Sequence, residues 1–330
     1  MEHSDCALLL VSYGGPEQME DVFPFIQNIL AGKNVPMSRI EQAARKYELF
    51  NGVSPVNEEC RGLLTAYLSS KMGQTATIPI YWGNLYWHPL LPETLTAMAR
   101  DGVRKVVAFC TVPFASPESF QKYTDAIQSA QKQTGLTGGM EIRTTRIFHD
   151  HPLFTEASAL TILETFASLE NNGTKIPKLE DKDSLLEKLP QPETVKLIFT
   201  AHSLPQNEDK NQIYRRQLLD TADKIAQTLN LARFHIDWEL MFQSRGGGSE
   251  ENWIGPDVRT VEKEDKKTLI FCPFGFMLEN IELLYDLDIE VRERCEALGL
   301  HYLRTQAVGC SRPVIRMIHE LTAEIIRGWQ

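Results

Sequence analysis

Three carboxylates, Glu282, Asp286 and Glu290, recur at four-residue intervals in the stretch Thr268 to Glu296 (TLIFCPFGFMLENIELLYDLDIEVRERCE) of a 330-residue chain. On a helix advancing 100° per residue with Ile281 at zero they fall at roughly 100°, 140° and 180°, and Glu293 at about 120°, which makes one narrow stripe. Leu283, Leu284, Tyr285, Leu287, Ile289 and Val291 take most of the remaining arc, so the helix is expected to be buried on most sides with one polar window. Two readings of that window stay open. It faces bulk water, as most acidic stripes do, or it lines a cleft as a file of hard oxygen ligands suited to a divalent cation.

Other residues with chemical potential stand at the ends of apolar runs. Tyr13 follows ALLLVS, the aromatic turn YWGNLYWHP carries Tyr81, Trp82, Tyr86, Trp87 and His88, His202 follows VKLIFT and Ala201, and Gln243-Ser244-Arg245 follows HIDWELMF. A lone histidine such as His202 is a structural or capping residue as readily as a general base near neutral pH. Clustered aromatics are core as readily as the wall of a pocket for a flat ligand. His149-Asp150-His151 invites a metal reading, but it has no further ligands at fixed spacing, and helix caps and a domain crossover account for it.

These positions depend on the elements that carry them. Ala7–Ser12, Ile78–Tyr81, Lys105–Cys110, residues 141–148, Val195–Thr200, His235–Phe242 and Leu269–Cys272 are apolar runs of strand length. Between them lie helix-period segments: Ser38–Phe50, Asn57–Lys71, Leu90–Arg100, a segment carrying Tyr123 that nearby serines can cap, one from Pro152 to about Leu169, Asp209–Leu229 and Ser311–Gly328. Strand and helix alternate twice over. That pattern predicts the α/β class, with two doubly wound Rossmann-like domains of parallel sheet whose strand ends face a common cleft. The expected division is 1–150 and 151–305, with 306–330 a C-terminal helix packing back on the first domain. The turn Tyr13-Gly14-Gly15-Pro16 lacks GxGxxG, so a dinucleotide site has little support. Residues 171–193, polar and proline-bearing, are expected to be a long surface insertion.

Composition narrows the function classes. A net charge of −10 with 24% charged residues argues against nucleic acid and anionic lipid as partners. The N-terminus reads as a first strand, neither a signal peptide nor a membrane span, so a cytoplasmic location is expected and a periplasmic binding protein is disfavoured. Six cysteines without CxxC spacing read as reduced, buried thiols. The sequon Asn172-Gly173-Thr174 has no secretory context.

Read together, LLLVSYGGPE, NGVSPVN, IPIYWGNLYWHP, TAHSLP, MFQSRGGGSEENWIGP and CPFGFMLENIELLYDLDIE resemble the ferrochelatase family in sequence and in order, over nearly the whole chain. The resemblance implies a type II chelatase-like fold without bound nucleotide that inserts Fe²⁺ into a porphyrin. It places His202 on the histidine of the family's (S/A)HS(L/I)P block and Glu282 on the glutamate of its GF-x-x-(D/E)-H-x-E block, the catalytic pair. His202, Glu282, Asp286 and Glu290 become the metal ligands and approach path. Tyr13, Tyr86, Trp87 and Tyr123 become stacking or polar edges for the ring, and Lys46 and Ser54 its propionate contacts. Two features depart from the family pattern. Asn280 stands where the family usually has histidine, which puts a relay through that histidine in doubt. Only Cys295 and Cys310 lie near the C-terminus, too few for the [2Fe–2S] cluster of some members, so no cluster and no permanently bound cofactor is expected. Tyr13, together with FIQNILAGKNVP and RKYELFNGVSPVN, is similar to members that metallate coproporphyrin III to coprohaem III, typically monomers. The alternatives are a protoporphyrin IX ferrochelatase giving protohaem, a chelatase for another metal or tetrapyrrole, and a non-catalytic haem-binding or haem-transfer protein.

Overall fold

The computed structural model describes residues 5–33, 35–70, 78–170, 182–188, 192–206, 210–245, 253–263 and 265–329. The chain divides into two compact units, Met1–Val112 with Pro117–Ile147 and Ile315–Gln330, and Pro113–Ser116 with Phe148–Val314.

The first unit runs β1 (Cys6–Ser12), α1 (Met19–Ile29), α2 (Met37–Glu48), α3 (Val56–Ser69), β2 (Ile80–Asn84), α4 (Leu91–Arg100), β3 (Lys105–Cys110), α5 (Lys122–Gln133) and β4 (Glu141–Thr144). Its four parallel strands lie in the order β2-β1-β3-β4. β1 is buried along its whole length because a central parallel strand is covered on both faces, which is why its sequence is a continuous apolar run. Ala7, Leu9 and Val11 pack with Leu91, Leu95 and Met98 of α4 and Ile127 and Ala130 of α5.

The second unit repeats the plan with α6 (Pro152–Glu170), α7 (Lys182–Lys188), β5 (Val195–His202), α8 (Lys210–Thr228), β6 (Asp237–Gln243), β7 (Thr268–Cys272), α9 (Ile281–Tyr285), α10 (Arg292–Ala297) and β8 (His301–Arg304). Its parallel strand order, β6-β5-β7-β8, is that of the first sheet. In both sheets the order switches beside the first strand, and ligand crevices of open α/β sheets form outside strand ends at such points. Tyr13 follows β1, His202 ends β5, and the acidic segment follows β7.

Several expectations are corrected. The aromatic YWGN is largely strand, since β2 reaches Asn84, and β4 stops at Thr144 instead of 148. β8 was not anticipated, because HYLR is only four residues long and half-buried. A π-turn, Pro117–Gln121, leads straight into α5, and Gln121 makes no side-chain capping bond. Within the expected surface insertion, Lys182–Lys188 is a helix that buries Leu185 and Leu186. The sequon at 172–174 and the residues 246–252 of the glycine-rich block lie outside the described residues.

α11 (Arg312–Arg327) closes the chain, and from Ile315 it belongs to the first unit. His319 stacks on Tyr67 of α3, with ring centroids 4.2 Å apart and planes 13° from parallel, and its Nε2 lies 2.6 Å from Ser70 Oγ. Burial lowers the imidazole pKa below its ordinary value of 6.5. The folded state therefore binds fewer protons than the unfolded chain, so this contribution is complete above pH 6.5 and declines as pH falls below it. The urea midpoint is expected to drop between pH 7.5 and 5.5, and to drop less in His319→Gln; equal drops would contradict the assignment.

Candidate active site

His202 is set by the last rungs of the second sheet. The register pairs it with Gln243, Ser203 N donates to Gln243 O at 2.7 Å, and Thr200 Oγ1 donates to Gln243 Oε1 at 2.8 Å. Tyr214 Oη donates to the His202 carbonyl at 3.1 Å, and Ser203 Oγ donates to Ile254 O at 2.7 Å. The imidazole Nδ1 meets the Ser203 carbonyl oxygen. A carbonyl only accepts, so Nδ1 carries the proton, and in the neutral ring Nε2 is left with its lone pair. Nε2 lies 3.7 Å from Glu282 Oε2, and the two side chains are 36% and 46% exposed. Nε2 can therefore accept a proton, with a carboxylate beside it.

Glu282 owes its place to Asn280. The Asn280 Oδ1 accepts from Glu282 N at 3.0 Å and Leu283 N at 3.2 Å, capping α9, while Nδ2 donates to Leu278 O at 3.2 Å. The residue that departs from the family pattern thus holds the backbone of the glutamate. Asn280→Ala is expected to cost about 1 kcal/mol, read as a lower urea midpoint, and Asn280→Asp is expected to restore most of it; equal stability of all three would remove the cap from the account.

The acidic helix is not uniform. Between α9 and α10 lies a π-turn, Asp286–Val291. A four-residue repeat overruns an α-helical turn by roughly 40° per step, and the wider π-turn takes up part of that drift. Leu283, Leu287, Val291 and Cys295, all four apart, are consequently fully buried against Ile198, Met241, Leu269 and Phe271. Glu282, Asp286 and Glu290 share this spacing. The apolar arc is narrower than the wheel implied, since Leu284, Tyr285 and Ile289 are only half-buried. Asp286 is 4% exposed and accepts from Ser244 Oγ at 2.5 Å. Ser244 adopts the left-handed region, with φ +60°, directly after β6. Arg259 donates to Asp257, and this bond, together with the charges of Glu290 and Asp286, raises the guanidinium's pKa. Among the described residues no group of three or more His, Cys, Asp and Glu side chains is arranged to hold a metal ion. The four expected ligands therefore do not form one coordination cage. They comprise a close His202–Glu282 pair, with Asp286 and Glu290 farther along the segment.

The first unit supplies an aromatic group. Tyr13 and Tyr86 rings lie 4.6 Å apart, and Phe25 of α1 is edge-on to Tyr13, Tyr47 and Trp87 at 6.2, 6.0 and 6.2 Å. Tyr86 N donates to Tyr13 O, which ties the β2 turn to the end of β1. Lys46 is the half-buried neighbour of Tyr47 on α2. Ser54 is buried against Gly15, where an added Cβ would sit 2.6 Å from its own, so that turn needs glycine. Tyr123 is corrected: it lies in the core with Ile127 and Ala130 at 5% exposure, and its hydroxyl meets Thr111, so it offers no ring edge on the surface. The His151 Nδ1 accepts from Leu153 N at the start of α6, and His149 stacks on Phe114.

Five of the six cysteines are buried and Cys310 is exposed. Burial pushes the thiols of Cys60, Cys110 and Cys272 up to about 12 and that of Cys295 to about 11, which keeps them protonated and poor ligands.

The family model described as Ferrochelatase matches residues 5–325. The chain belongs to the ferrochelatase family. Ferrochelatases are metal-inserting enzymes of the lyase class in haem biosynthesis, with Fe²⁺ and a porphyrin as substrates. A ferrochelatase of Rhodopirellula baltica is 33% identical over 96% of this chain and 85% of its own length. Coproporphyrin III ferrochelatases of Nocardia farcinica and Frankia alni are 31% and 33% identical, over 98% and 97% of this chain and 88% and 79% of theirs. The sirohydrochlorin chelatase SirB of Bacillus subtilis subspecies spizizenii, in complex with cobalt, shares the fold at TM-score 0.54 and 9% identity, over 97% of this chain and 94% of that one. Among the described residues no helix of this ferrochelatase is long and apolar enough to cross a membrane.

Proposed function

We propose that this ferrochelatase acts in the cytoplasm as a monomer and inserts Fe²⁺ into coproporphyrin III to give coprohaem III. The reading is carried by Tyr13 at the end of β1, whose ring meets Tyr86 on the same unit. The names of the Nocardia farcinica and Frankia alni relatives support it. Coproporphyrin III carries four propionates, whereas protoporphyrin IX carries two with two vinyl groups, so polar and cationic contacts at the ring edge favour the former. Tyr13, Tyr86 and Trp87 pack against the macrocycle, and Lys46 meets a propionate near Ser54.

Metallation removes two pyrrole N–H protons as four nitrogens replace the water and oxygen ligands of Fe²⁺. His202 Nε2 takes a proton and becomes an imidazolium beside Glu282, which passes protons onward to water. Asp286 and Glu290 guide hydrated iron inward, and carboxylates release it more readily than thiolates would. Anaerobic incubation of catalytic enzyme with Fe²⁺ and coproporphyrin III is expected to convert the free-base spectrum to that of coprohaem over many turnovers. Haem binding without turnover would favour the non-catalytic reading instead.

A further inference from the structure

Arg304 sits at the end of β8 with its side chain 6% exposed, outside every block that pointed to the reaction. It is bound on two sides. Nε donates to Asp288 Oδ1 at 2.9 Å and Nη2 to Asp288 Oδ2 at 2.8 Å, a bidentate fork. Nη1 donates to both oxygens of Glu279, at 2.9 and 3.1 Å. Tyr302 Oη adds a bond to Asp288 Oδ1, and Ala307 N adds one to Glu279 Oε1. Glu279 immediately precedes the Asn280 cap, three residues before Glu282. Asp288 lies inside the π-turn, two residues after Asp286 and two before Glu290. One guanidinium therefore fixes the acidic segment at both ends of the Glu282–Asp286 span, from the strand beside it.

The same pairing sorts the charges. Of the acids from 279 to 290, Arg304 engages Glu279 and Asp288, leaving Glu282, Asp286 and Glu290 as the carboxylates it does not hold. A point-charge ammonium cannot reproduce this arrangement, because it lacks the planar fork that grips Asp288 while its third nitrogen reaches Glu279.

We infer that Arg304 is a positioning residue for the iron-side carboxylates, setting the backbone from which Glu282 and Asp286 meet the incoming cation. This rests on the reading that those carboxylates handle iron. The test compares Arg304→Lys, Asp288→Asn and Glu282→Gln, each checked by circular dichroism for a wild-type fold, with KM measured separately for Fe²⁺ and for coproporphyrin III. Arg304→Lys and Asp288→Asn are expected to raise KM for Fe²⁺ by about 10–100-fold, the usual cost of losing a group that orients a metal ligand, and to leave KM for the porphyrin at the wild-type value. If Arg304→Lys does not fold, Asp288→Asn, which keeps one oxygen acceptor in place, decides alone. Melting temperatures that fall while both KM values stay at wild type would make the network purely architectural and overturn the inference, with Glu282→Gln still raising KM for Fe²⁺. A Glu282→Gln enzyme with unchanged KM for Fe²⁺ would overturn the ligand reading and the inference together.

Discussion

Replacing His202 by alanine is expected to lower kcat for iron insertion by about 10²–10⁴-fold, the usual contribution of a positioned general base. The imidazole is anchored on one side only: Nδ1 gives its hydrogen to the Ser203 carbonyl, and Nε2 points to Glu282 at 3.7 Å. In the neutral ring that tautomer has one task left for Nε2, which is to accept a proton. Porphyrin affinity, followed by fluorescence quenching, is expected to stay close to wild type, because the loss falls on proton removal. The fold is expected to survive as well, since the ring is more than a third exposed and the strand end is held by Gln243, Tyr214 and Ser203 backbone and side-chain bonds instead. Glu282→Gln is expected to lower kcat as well, because a neutral amide leaves Nε2 able to take the proton but removes the carboxylate that passes protons onward and meets Fe²⁺. Unimpaired turnover in His202→Ala would remove the base from the mechanism.

Arg304→Met is expected to have the largest effect on stability, about 3–5 kcal/mol, because breaking a buried ion pair from one side strands the partner charges. Glu279 and Asp288 would then be left with 9% and 21% of their side-chain surface exposed and no cation in the fork. Arg292 Nη2, 3.6 Å from Asp288 Oδ1, recovers a little for that residue, while Glu279 keeps the Ala307 amide. Adding Glu279→Gln and Asp288→Asn to Arg304→Met is expected to regain part of the loss, since the stranded charges are gone. Urea unfolding of the three proteins checks this; a single variant as stable as wild type would mean that the network contributes no net stability.

Much of the fold was legible because buried parallel strands announce themselves as unbroken apolar runs. KVVAFC is β3 residue for residue, and VKLIFT needed only Ala201 and His202 to complete β5. β8 escaped for the opposite reason: an edge strand of four half-buried residues carries neither length nor alternation. The π-turn was illegible to a wheel of fixed 100° steps, and its clue was the strict four-residue repeat of Leu283, Leu287, Val291 and Cys295, which no uniform α-helix keeps on one line.

The site divides in the same way. His202 and Glu282 stand out as residue types at strand and helix ends, and the structure brings them together. Tyr13, Tyr86 and Trp87 also meet, through Phe25, whose part in the group could have been suspected only from the apolar face of α1. Tyr123 misled because a tyrosine in the first turn of a helix looks the same in sequence whether its ring faces the core or a ligand. Arg304, Asp288 and Glu279 are brought together by β8 and the segment from before α9 into the π-turn, so no local pattern joins them. Asn280 was read only as a departure from the family pattern, although an asparagine just before a helical turn is also a cap signal.

The proposed preference for coproporphyrin III is tested most directly by the initial rate of anaerobic Fe²⁺ insertion into coproporphyrin III and protoporphyrin IX under identical conditions. A higher kcat/KM for coproporphyrin III is the expected result. Faster metallation of protoporphyrin IX would contradict it and remove Tyr13 as the mark of the substrate.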